Sequence, residues 1–373
     1  MKPRSFSLRR GADAPRPDDI RWMARALALA ERGRPHAHPN PIVGAVVARE
    51  NRCVGEGAHE RFGGPHAEVI ALHRAGDRAR GATLYVTLEP CHRFGKTPPC
   101  CDAILRSGVR RVVVAASDAS VRGGGVSRLR ARGLRVDTGL LEGPARDLNP
   151  GFHSRLEKKR PHVLLKIAQT IDGKIATAHG RSRWITGPAA RRLGHRLRAQ
   201  CDALLVGAGT VRRDNPALDA HGEGPDPIRT VLSASLDLPP AARVFRPAGL
   251  TWVLTRPDAP RSRRLVLQAR GVTLIDAPGG APGRLDLRRA LAALARRGVG
   301  RLMVEGGGTT AAAFLEAGLV DEVYCFVAPG FLGGVDAPTS VEGRGVPTPA
   351  ALRRLSRVNV SRVGTDLLLH GEF

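Results

Sequence analysis

The chain has 373 residues, of which 42% are hydrophobic, and it carries a formal net charge of +25. One hydrophobic core rarely supports so many residues, so the length predicts two globular domains. No apolar run is long enough to cross a membrane, which excludes a protein with membrane-spanning helices.

The first residues and the cysteines indicate where the protein works. Residues 1–17 lack the apolar core of a signal peptide, and we expect them to form a flexible basic tail. Six cysteines in so long a chain do not form a disulfide framework, so we expect a cytoplasmic location. Four cysteines are expected to be reduced packing residues: Cys53, Cys101, Cys201 and Cys325.

The positive charge is spread along the chain rather than concentrated. Basic surfaces attract anionic partners, including nucleic acid. Here arginine is scattered through every predicted helix, and aromatic residues make up only 4% of the chain. The composition therefore favours a solvated basic surface that is compatible with phosphorylated small molecules, and we expect neither nucleic acid nor a membrane as partner.

The first predicted elements are a helix and two strands. Residues 18–32 have the apolar period of an amphipathic helix with acidic residues at its start. The prolines on either side of Asn40 end that pattern, and residues 42–48 and 52–60 are typical of two strands that pair with each other. By residue type alone, Asn40 is a turn asparagine as readily as a ligand contact.

The next stretch contains the residues that a hydrolytic zinc site requires. His66 and Glu68 lie in PHAEVIALHRAG, and Cys91 and Cys100 lie in EPCHRFGKTPPC. Catalytic zinc takes three protein ligands and leaves its fourth position to water, whose pKa it lowers to about 7. His66, Cys91 and Cys100 can supply these ligands, and Glu68 can shuttle the water's proton.

Predicted secondary structure brings these residues to one place. Residues 67–76 and 100–108 have helical patterns that each end at a glycine, and residues 83–88 between them are typical of a buried strand. Two helix N-termini therefore converge, and their positive dipole ends favour thiolates. A lone buried histidine or cysteine is usually a packing residue. However, H-x-E followed by P-C and a further cysteine is characteristic of zinc deaminases.

The loop between the two cysteines narrows the choice of family. Eight residues separate Cys91 from Cys100, whereas the short-loop deaminase signature has two. A long loop that ends in Thr97-Pro98-Pro99-Cys100 resembles the deaminase half of the bifunctional riboflavin-biosynthesis deaminase/reductases. The resemblance implies a cytidine-deaminase-like α/β/α sandwich.

The same resemblance implies four substrate contacts. Asn40 would face the pyrimidine ring, His59 would lie beside the phosphoribosyl group, and Lys96 and Asp118 would complete the site. Two segments depart from the family pattern: C-S-H is replaced by Cys91-His92-Arg93, and D-P-N-P is replaced by Asp118-Ala119-Ser120-Val121. We expect the metal chemistry to survive both changes, whereas the substrate contacts can differ.

Further alternation of elements leads to a domain boundary. Residues 109–118 are typical of a strand, and residues 125–136 of a helix that leads into a strand, which favours an α/β sandwich. Between Asn149 and Pro161 the composition turns charged, with prolines near both ends. This places one domain at residues 18–158 and a second at residues 159–373.

The second domain also begins with strand and helix patterns. We predict a strand at 162–177, a turn and helix at 182–200 and a strand at 201–211. Residues 301–318 are typical of a strand, a glycine turn and a helix, and residues 321–334 and 365–373 of closing strands. The free N–H groups at that helix start favour a phosphate, although a plain tight turn is an alternative. The turn is not G-x-G-x-x-G, so a Rossmann domain is not indicated.

Three motifs in order resemble the reductase half of the same family. They are K-x-A-x-T-x-D-G at 166–173, S-x-W-I-T at 182–186 and V-G-x-G-T-V-x-x-D-N-P-x-L at 206–218. That half has a dihydrofolate-reductase-like α/β fold and uses NADPH. The resemblance implies cofactor contacts from Ala168, Trp184, Thr210, Asp214, Gly307, Gly308, Thr309 and Thr310. It implies substrate contacts from Ser182, Arg198, Leu218 and Glu305.

Two details of the implied reductase site concern phosphate binding. The charged fork of Arg198 is a natural phosphate partner. The family has a further arginine three residues beyond Leu218, where this chain has His221. Binding of the substrate phosphate is therefore expected to be weaker, or to use differently arranged residues.

Together the two halves imply a bifunctional enzyme. The first reaction would be zinc-dependent hydrolytic deamination of 2,5-diamino-6-(5-phosphoribosylamino)pyrimidin-4-one, with Glu68 relaying the proton. The second would be NADPH-dependent reduction of the ribosyl group to ribityl. We expect phosphorylated pyrimidine substrates and a homo-oligomer.

Two other interpretations stay open. A deaminase acting on tRNA or another nucleobase could use the positive charge, although the long loop and the large second domain are unusual for it. A structural zinc module that binds RNA would need a fourth ligand, which His92 could provide, but it would leave Glu68 without a role.

Overall fold

The structure is a computed structural model, and it describes residues 16–34, 37, 40–118, 124–280 and 283–373. The chain forms two compact units, divided between Glu157 and Lys158. The tail predicted at 1–17 lies outside the described residues as far as residue 15, and Pro17 is already the first residue of a helix. Within the described ranges, no helix combines the length and the apolar character of a membrane span.

The N-terminal unit alternates strands and helices. Its strands are β1 (Gly44–Arg49), β2 (Arg52–Ala58), β3 (Thr83–Leu88), β4 (Arg111–Ala116) and β5 (Arg135–Thr138). Its helices are α1 (Pro17–Ala30), α2 (Ala67–Ala75), α3 (Cys100–Ser107), α4 (Gly125–Ala131), α5 (Glu142–Leu148) and α6 (Pro150–Glu157). The helix predicted at 18–32 is α1 followed by a short 3-10 turn.

Helices cover both faces of this sheet, whose strand order is β2-β1-β3-β4-β5. A Cβ atom on Gly44 would overlap the carbonyl oxygen of Ala26 in α1. One on Gly57 would lie 2.6 Å from the carbonyl oxygen of Ala67 in α2. Because Gly57 pairs with Ala45, the neighbour of Gly44, the two glycines face opposite sides. The unit is therefore an α/β/α sandwich whose helices approach the sheet at its glycines.

The C-terminal unit is larger. Its strands are β6 (His162–Thr170), β7 (Ala203–Gly207), β8 (Ile228–Leu232), β9 (Thr251–Thr255), β10 (Thr273–Asp276), β11 (Arg301–Val304), β12 (Glu322–Ala328), β13 (Ser356–Val363) and β14 (Asp366–Glu372). Its helices are α7 (Pro188–Ala199), α8 (Ala208–Asp214), α9 (Arg261–Gln268), α10 (Leu287–Arg296) and α11 (Gly308–Glu316).

These strands form one mixed sheet in the order β10-β9-β8-β7-β11-β6-β12-β14-β13. The seven strands from β10 to β12 are parallel, while β14 runs antiparallel to β12 and to β13. Parallel strands end at a common edge, so the residues that follow β6, β7 and β11 lie near one another. In open α/β sheets this carboxyl edge is where ligands bind.

Two local predictions are wrong. Residues 208–211 belong to helix α8, because Gly207 takes the extended N-cap conformation and ends β7. Strand β6 ends at Thr170, whose carbonyl accepts a hydrogen bond from the amide of Gly173 and closes a turn, so residues 171–177 do not continue it. The segment at 149–161, where the domain boundary is predicted, also contains a helix, α6, that buries His153 and Ser154.

Candidate active sites

Three side chains of the N-terminal unit converge as metal ligands would. Nδ1 of His66 lies 3.1 Å from Sγ of Cys100 and 3.5 Å from Sγ of Cys91. The three ligand atoms all lie within 4.8 Å of one another. Tetrahedral zinc with ordinary bond lengths holds nitrogen and sulfur ligands about 3.6 Å apart. Donor types and spacing therefore both fit zinc.

Local structure positions each ligand. His66 is the N-cap of α2, Cys100 is the first residue of α3, and Cys91 lies in the loop after β3. The amide of Cys100 donates to Sγ of Cys91 at 3.3 Å. A hydrogen bond from the Cys100 thiol lowers the pKa of Cys91 to about 4. The hydrogen bond between His66 and Cys91 raises the pKa of His66. The thiol of Cys91 therefore ionises readily, as a metal ligand requires, while the hydrogen bond with Cys91 raises the pKa of Cys100.

Glu68 lies in the first turn of α2, two residues after the N-cap His66. Only 3% of it is exposed, and this burial raises the pKa of its carboxyl group. His92, considered above as a fourth ligand, is not among the converging side chains in the described part of the chain. Its carbonyl oxygen accepts a hydrogen bond from Arg128 instead. Three ligands beside a buried carboxyl group match a catalytic site rather than a structural one.

A cavity of about 270 Å³ opens onto this cluster. All four residues expected to contact the deaminase substrate line it, together with Glu68, His66 and Cys91: they are Asn40, His59, Lys96 and Asp118. Phe62, Glu89 and Phe152 also line it and were not identified from the sequence, whereas Arg93, another lining residue, lies in the segment already noted as a departure from the family pattern. Phe152 could not be found, because it lies in the segment that looked like a domain boundary.

Hydrogen bonds order the polar wall of the cavity. Nδ1 of His59 lies 3.0 Å from the carbonyl oxygen of Pro65, and Nε2 lies 3.1 Å from Nδ2 of Asn40. Burial lowers the pKa of His59, so the ring is neutral near pH 7, donating to Pro65 and accepting from Asn40. This leaves the carbonyl oxygen of Asn40 as an acceptor. Nζ of Lys96 lies 3.8 Å from the centre of the Phe62 ring.

Glu89 ties together the strand ends around the cavity. Its carboxylate accepts hydrogen bonds from the amides of Asp118, at 3.1 Å, and Val126, at 2.9 Å. It thereby links the end of β3 to the end of β4 and the start of α4. A charged residue directly before the proline and cysteine of a ligand loop was the signal that could have identified it.

In the C-terminal unit, two residues expected to bind substrate contact each other. Nε and Nη2 of Arg198 donate to the two carboxylate oxygens of Glu305 at 2.9 and 2.7 Å. Nη1 donates to the carbonyl oxygen of Asp219. The guanidinium of Arg198, which was expected to bind a phosphate, therefore binds Glu305. The contact of Arg198 with phosphate stays a prediction.

Two further residues near Glu305 were missed. Burial raises the pKa of a carboxyl group, but the charges of Arg198 and Lys166 outweigh it and hold the pKa of Glu305 at about 2. Burial and the charge of Arg198 lower the pKa of His195 to about 4. Lys166 is the first residue of the first reductase motif, and His195 lies one helical turn before Arg198. Both positions therefore offered a sequence signal that could have identified them.

The glycine turns after β7 and β11 lie side by side. A Cβ atom on Gly207 would lie 2.7 Å from Oγ1 of Thr310, and one on Gly306 would lie 3.4 Å from Oγ1 of Thr210. A Cβ atom on Gly307 would meet nothing within 4 Å. Space is therefore open beside the start of α11, where backbone amides can meet a cofactor phosphate.

The remaining predicted residues lie around this edge. Ala168 is half-buried near the end of β6, Ser182 is half-buried, and Leu218 is buried. Trp184 is 69% exposed, with the guanidinium of Arg191 4.3 Å from its ring centre. Burial raises the pKa of Asp214. Gly308 begins α11, and Thr309 in its first turn donates to Glu342.

His221, which stands where the family has an arginine, is also held in place. Its ring stacks on that of His195 with 4.2 Å between centroids, and its Nε2 lies 3.0 Å from the carboxylate of Asp219. Although its side chain is 52% exposed, the residue therefore belongs to the surroundings of His195 and Arg198.

Two family matches account for most of the chain. Residues 16–116 match the cytidine and deoxycytidylate deaminase zinc-binding region, and residues 161–369 match the RibD C-terminal domain. The chain is 40% identical to riboflavin biosynthesis protein RibD of Aquifex aeolicus over 94% of this chain and 97% of that protein.

Solved structures agree with these matches. RibD of Acinetobacter baumannii is 34% identical, with a TM-score of 0.86 over 95% of this chain and 98% of that chain. A diaminohydroxyphosphoribosylaminopyrimidine deaminase/5-amino-6-(5-phosphoribosylamino)uracil reductase from Thermotoga maritima is 35% identical, with a TM-score of 0.80 and the same coverage.

These findings confirm the fold class predicted for both domains, the zinc-binding type of the first and the NADPH-using type of the second. They also separate this chain from deaminases that lack the second domain. The chain belongs to the RibD family, the bifunctional deaminase/reductases of riboflavin biosynthesis.

Proposed function

We propose that the N-terminal domain deaminates 2,5-diamino-6-(5-phosphoribosylamino)pyrimidin-4-one and that the C-terminal domain reduces the ribosyl group of the product to ribityl. The name of the Thermotoga maritima relative describes this pair of activities. The observation that carries the proposal is the cavity whose wall includes His66, Cys91 and the buried Glu68.

The residues of the first site divide the work of deamination. His66, Cys91 and Cys100 would hold zinc, which would supply a water that is readily ionised near neutral pH. The carboxylate of Glu68, which lines the cavity, would accept a proton from the attacking water and return it to the departing ammonia. Asn40 offers its carbonyl oxygen to an amino group of the pyrimidine, because its amide nitrogen is engaged with His59.

The mouth of the cavity suits the rest of the nucleotide. Lys96 brings a positive charge that can meet the phosphate, and His59 can contact the ribosyl hydroxyls. Asp118, whose amide is held by Glu89, completes the wall. The pyrimidine ring would therefore lie towards the buried Glu68, with the phosphate towards the exposed Lys96.

The second site is organised around the pair of Arg198 and Glu305. NADPH supplies the hydride when it is bound. Glu305, kept ionised by Arg198, accepts hydrogen bonds from hydroxyl groups of the opened ribose and so orients its carbonyl carbon. Ser182 and Leu218 border the substrate, while Ala168, Trp184, Thr210, Asp214 and the turn at Gly307–Thr310 border the cofactor.

We also propose a cytoplasmic homo-oligomer that acts on small molecules and not on nucleic acid. Strand β13 supports the oligomer, because it is the last strand in the sheet order and is exposed almost throughout. Its Val358 and Val360 are 52% and 61% exposed, and such edges pair readily with a second chain. Val360→Lys should lower the mass in solution measured by light scattering.

The direct test is to incubate the full-length protein with the diaminopyrimidine nucleotide and identify the products by mass. Without NADPH the product should be the deaminated nucleotide alone, and with NADPH it should be the ribityl compound. An unchanged nucleotide, or deamination that tRNA inhibits competitively, would reject the proposal.

A further inference from the structure

A segment between β12 and β13 spans the ends of two neighbouring strands. We call residues 337–344 the strap. The amide of Ile175, in the segment that follows β6, donates to the carbonyl oxygen of Pro338, and the amide of Ser340 donates to that of Gly173, both at 3.0 Å. Strand β6 lies next to β11 in the sheet. The strap therefore begins beside the first reductase motif and leads towards α11, which follows β11.

The second half of the strap packs on the first turn of α11. The amide of Glu342 donates to the carbonyl oxygen of Gly308 at 3.2 Å. A Cβ atom on Gly308 would overlap the carbonyl oxygen of Thr339 and would lie 2.8 Å from Cγ of Glu342. Beyond this contact, the amide of Arg344 donates to Oε1 of Glu316, the last residue of the helix, at 2.8 Å. The strap is therefore attached at both ends of α11, and the glycine lets it lie directly against the helix start.

This packing places a carboxylate beside the expected cofactor phosphate. Oγ1 of Thr309 donates to Oε2 of Glu342 at 2.6 Å. Thr309 is the second residue of α11, and it is one of the residues expected to contact NADPH. Its hydroxyl is a neutral partner, so this hydrogen bond does not cancel the charge of the exposed Glu342. A negative charge therefore lies at the start of α11 before any phosphate binds there.

A helix start can favour this carboxylate and a phosphate for the same reason. The first amides of a helix have no acceptor within it, and the helix dipole stabilises anions there. When a phosphate binds to the amides beside Thr309, it lies within about 8 Å of the carboxylate of Glu342, the reach of two hydrogen bonds and the residue between them. Like charges at this distance repel each other, since water and salt screen them only in part.

We propose that Glu342 lowers the affinity of the reductase domain for NADPH and NADP+ by placing its charge beside the cofactor phosphates. The inference rests on the proposed NADPH-dependent reduction and adds a residue that sets how tightly the cofactor is held. Thr309 donates to Glu342 in the free protein, and its hydroxyl can turn to a phosphate oxygen in the complex. Weaker binding of NADP+ eases its replacement by NADPH after each turnover.

The test measures binding of NADPH and of NADP+ to the full-length protein by calorimetry, without substrate. Glu342→Gln keeps an oxygen that can accept from Thr309 but removes the charge, so both dissociation constants should fall about fivefold at low salt. Glu342→Lys reverses the charge and should lower them further, although it loses the hydrogen bond. A contact that only supports the fold gains nothing from either change, so unchanged or weaker binding in either variant would overturn the proposal.

Glu316→Gln is the matched control, because it removes the same charge from the other end of α11, roughly 10 Å away along the helix. It should change neither dissociation constant by more than about twofold, since that distance is close to the screening length of salt. An equal gain in Glu316→Gln would refute the assignment to Glu342.

Salt provides a second measurement. Raising the ionic strength should shrink the difference between Glu342→Gln and wild type, because salt screens exposed charges. A difference that salt leaves unchanged would contradict repulsion as its cause. Oxidation of NADPH by the wild-type protein with the deaminated nucleotide tests the reductase function separately, so failure of this proposal and failure of the function can be told apart.

Discussion

The pairing of Arg198 with Glu305 gives the strongest prediction for the reductase domain. The ordinary pKa of 4.5 for a glutamate falls to about 2 at Glu305, since the charges of Arg198 and Lys166 outweigh the effect of burial. A difference of this size corresponds to about 3 kcal/mol between the ionised and neutral forms. Because the folded pKa is depressed, this stabilisation is complete above pH 4.5 and is lost as the pH falls through 2.

Arg198→Met removes both hydrogen bonds to Glu305 and the one to the carbonyl oxygen of Asp219, and it leaves the buried carboxylate of Glu305 without its main partner. We expect the free energy of unfolding to fall by about 3 kcal/mol at neutral pH. If the reaction requires the ionised form of Glu305, losing the same stabilisation of about 3 kcal/mol should slow NADPH oxidation about a hundredfold. Ammonia release should be unchanged, because His66, Cys91 and Cys100 belong to the other unit.

Urea denaturation, NADPH absorbance and an ammonia assay measure the three quantities on the same protein. Arg192→Met is the control, because Arg192 lies on the exposed side of the same helix. The difference in stability between Arg198→Met and wild type should shrink as the pH falls from 4.5 towards 2. Equal loss of both activities, or a stability equal to that of the control, would refute the reasoning.

Three further predictions concern the deaminase domain. Glu68→Gln should stop ammonia release while metal analysis still finds bound zinc, since the amide keeps the shape but cannot relay a proton; retained turnover would exclude Glu68. Removing zinc with a chelator should stop ammonia release but leave reduction of pre-formed deaminated product intact, and loss of both would contradict the division of the sites. Gly125→Ala would drive a methyl group into the carbonyl oxygen of Pro90 and to 3.0 Å from Sγ of Cys101. It should displace the loop that carries Cys91 and weaken zinc binding measured by competition with a chelator. Gly95→Ala, whose Cβ atom would meet nothing within 4 Å, should not.

The zinc site could be predicted because its signals are local. The helix that follows His66 and the helix that begins at Cys100 each end at a glycine, and Gly108 adopts the left-handed conformation that stops α3. His66 and Cys100 belong to two helix starts, and Cys91 follows a strand end. Side chains in such positions can come together in only a few arrangements. Among these arrangements, one imidazole and two thiols favour a shared zinc ion.

The middle of the reductase domain could not be predicted in the same way. Strands β8 and β9 have five residues each and are covered on both sides, so they lack the alternation of an exposed strand. The contact between Arg198 and Glu305 joins residues 107 positions apart. Strand order alone brings them together, and no local pattern reveals it. By contrast, Asp286 caps α10 by accepting hydrogen bonds from two following amides, a signal that was available.

The two changed positions in the segment Cys91-His92-Arg93, 92 and 93, differ in their consequences. His92 contributes its carbonyl oxygen to Arg128, which also pairs with Asp102 in α3. Any residue supplies that carbonyl, so the change at position 92 leaves the anchoring of the zinc loop intact. Arg93, in contrast, lines the cavity. A long cation at the cavity wall acts on the substrate and not on the metal, so the effect of this change is expected in the KM of deamination rather than in zinc affinity.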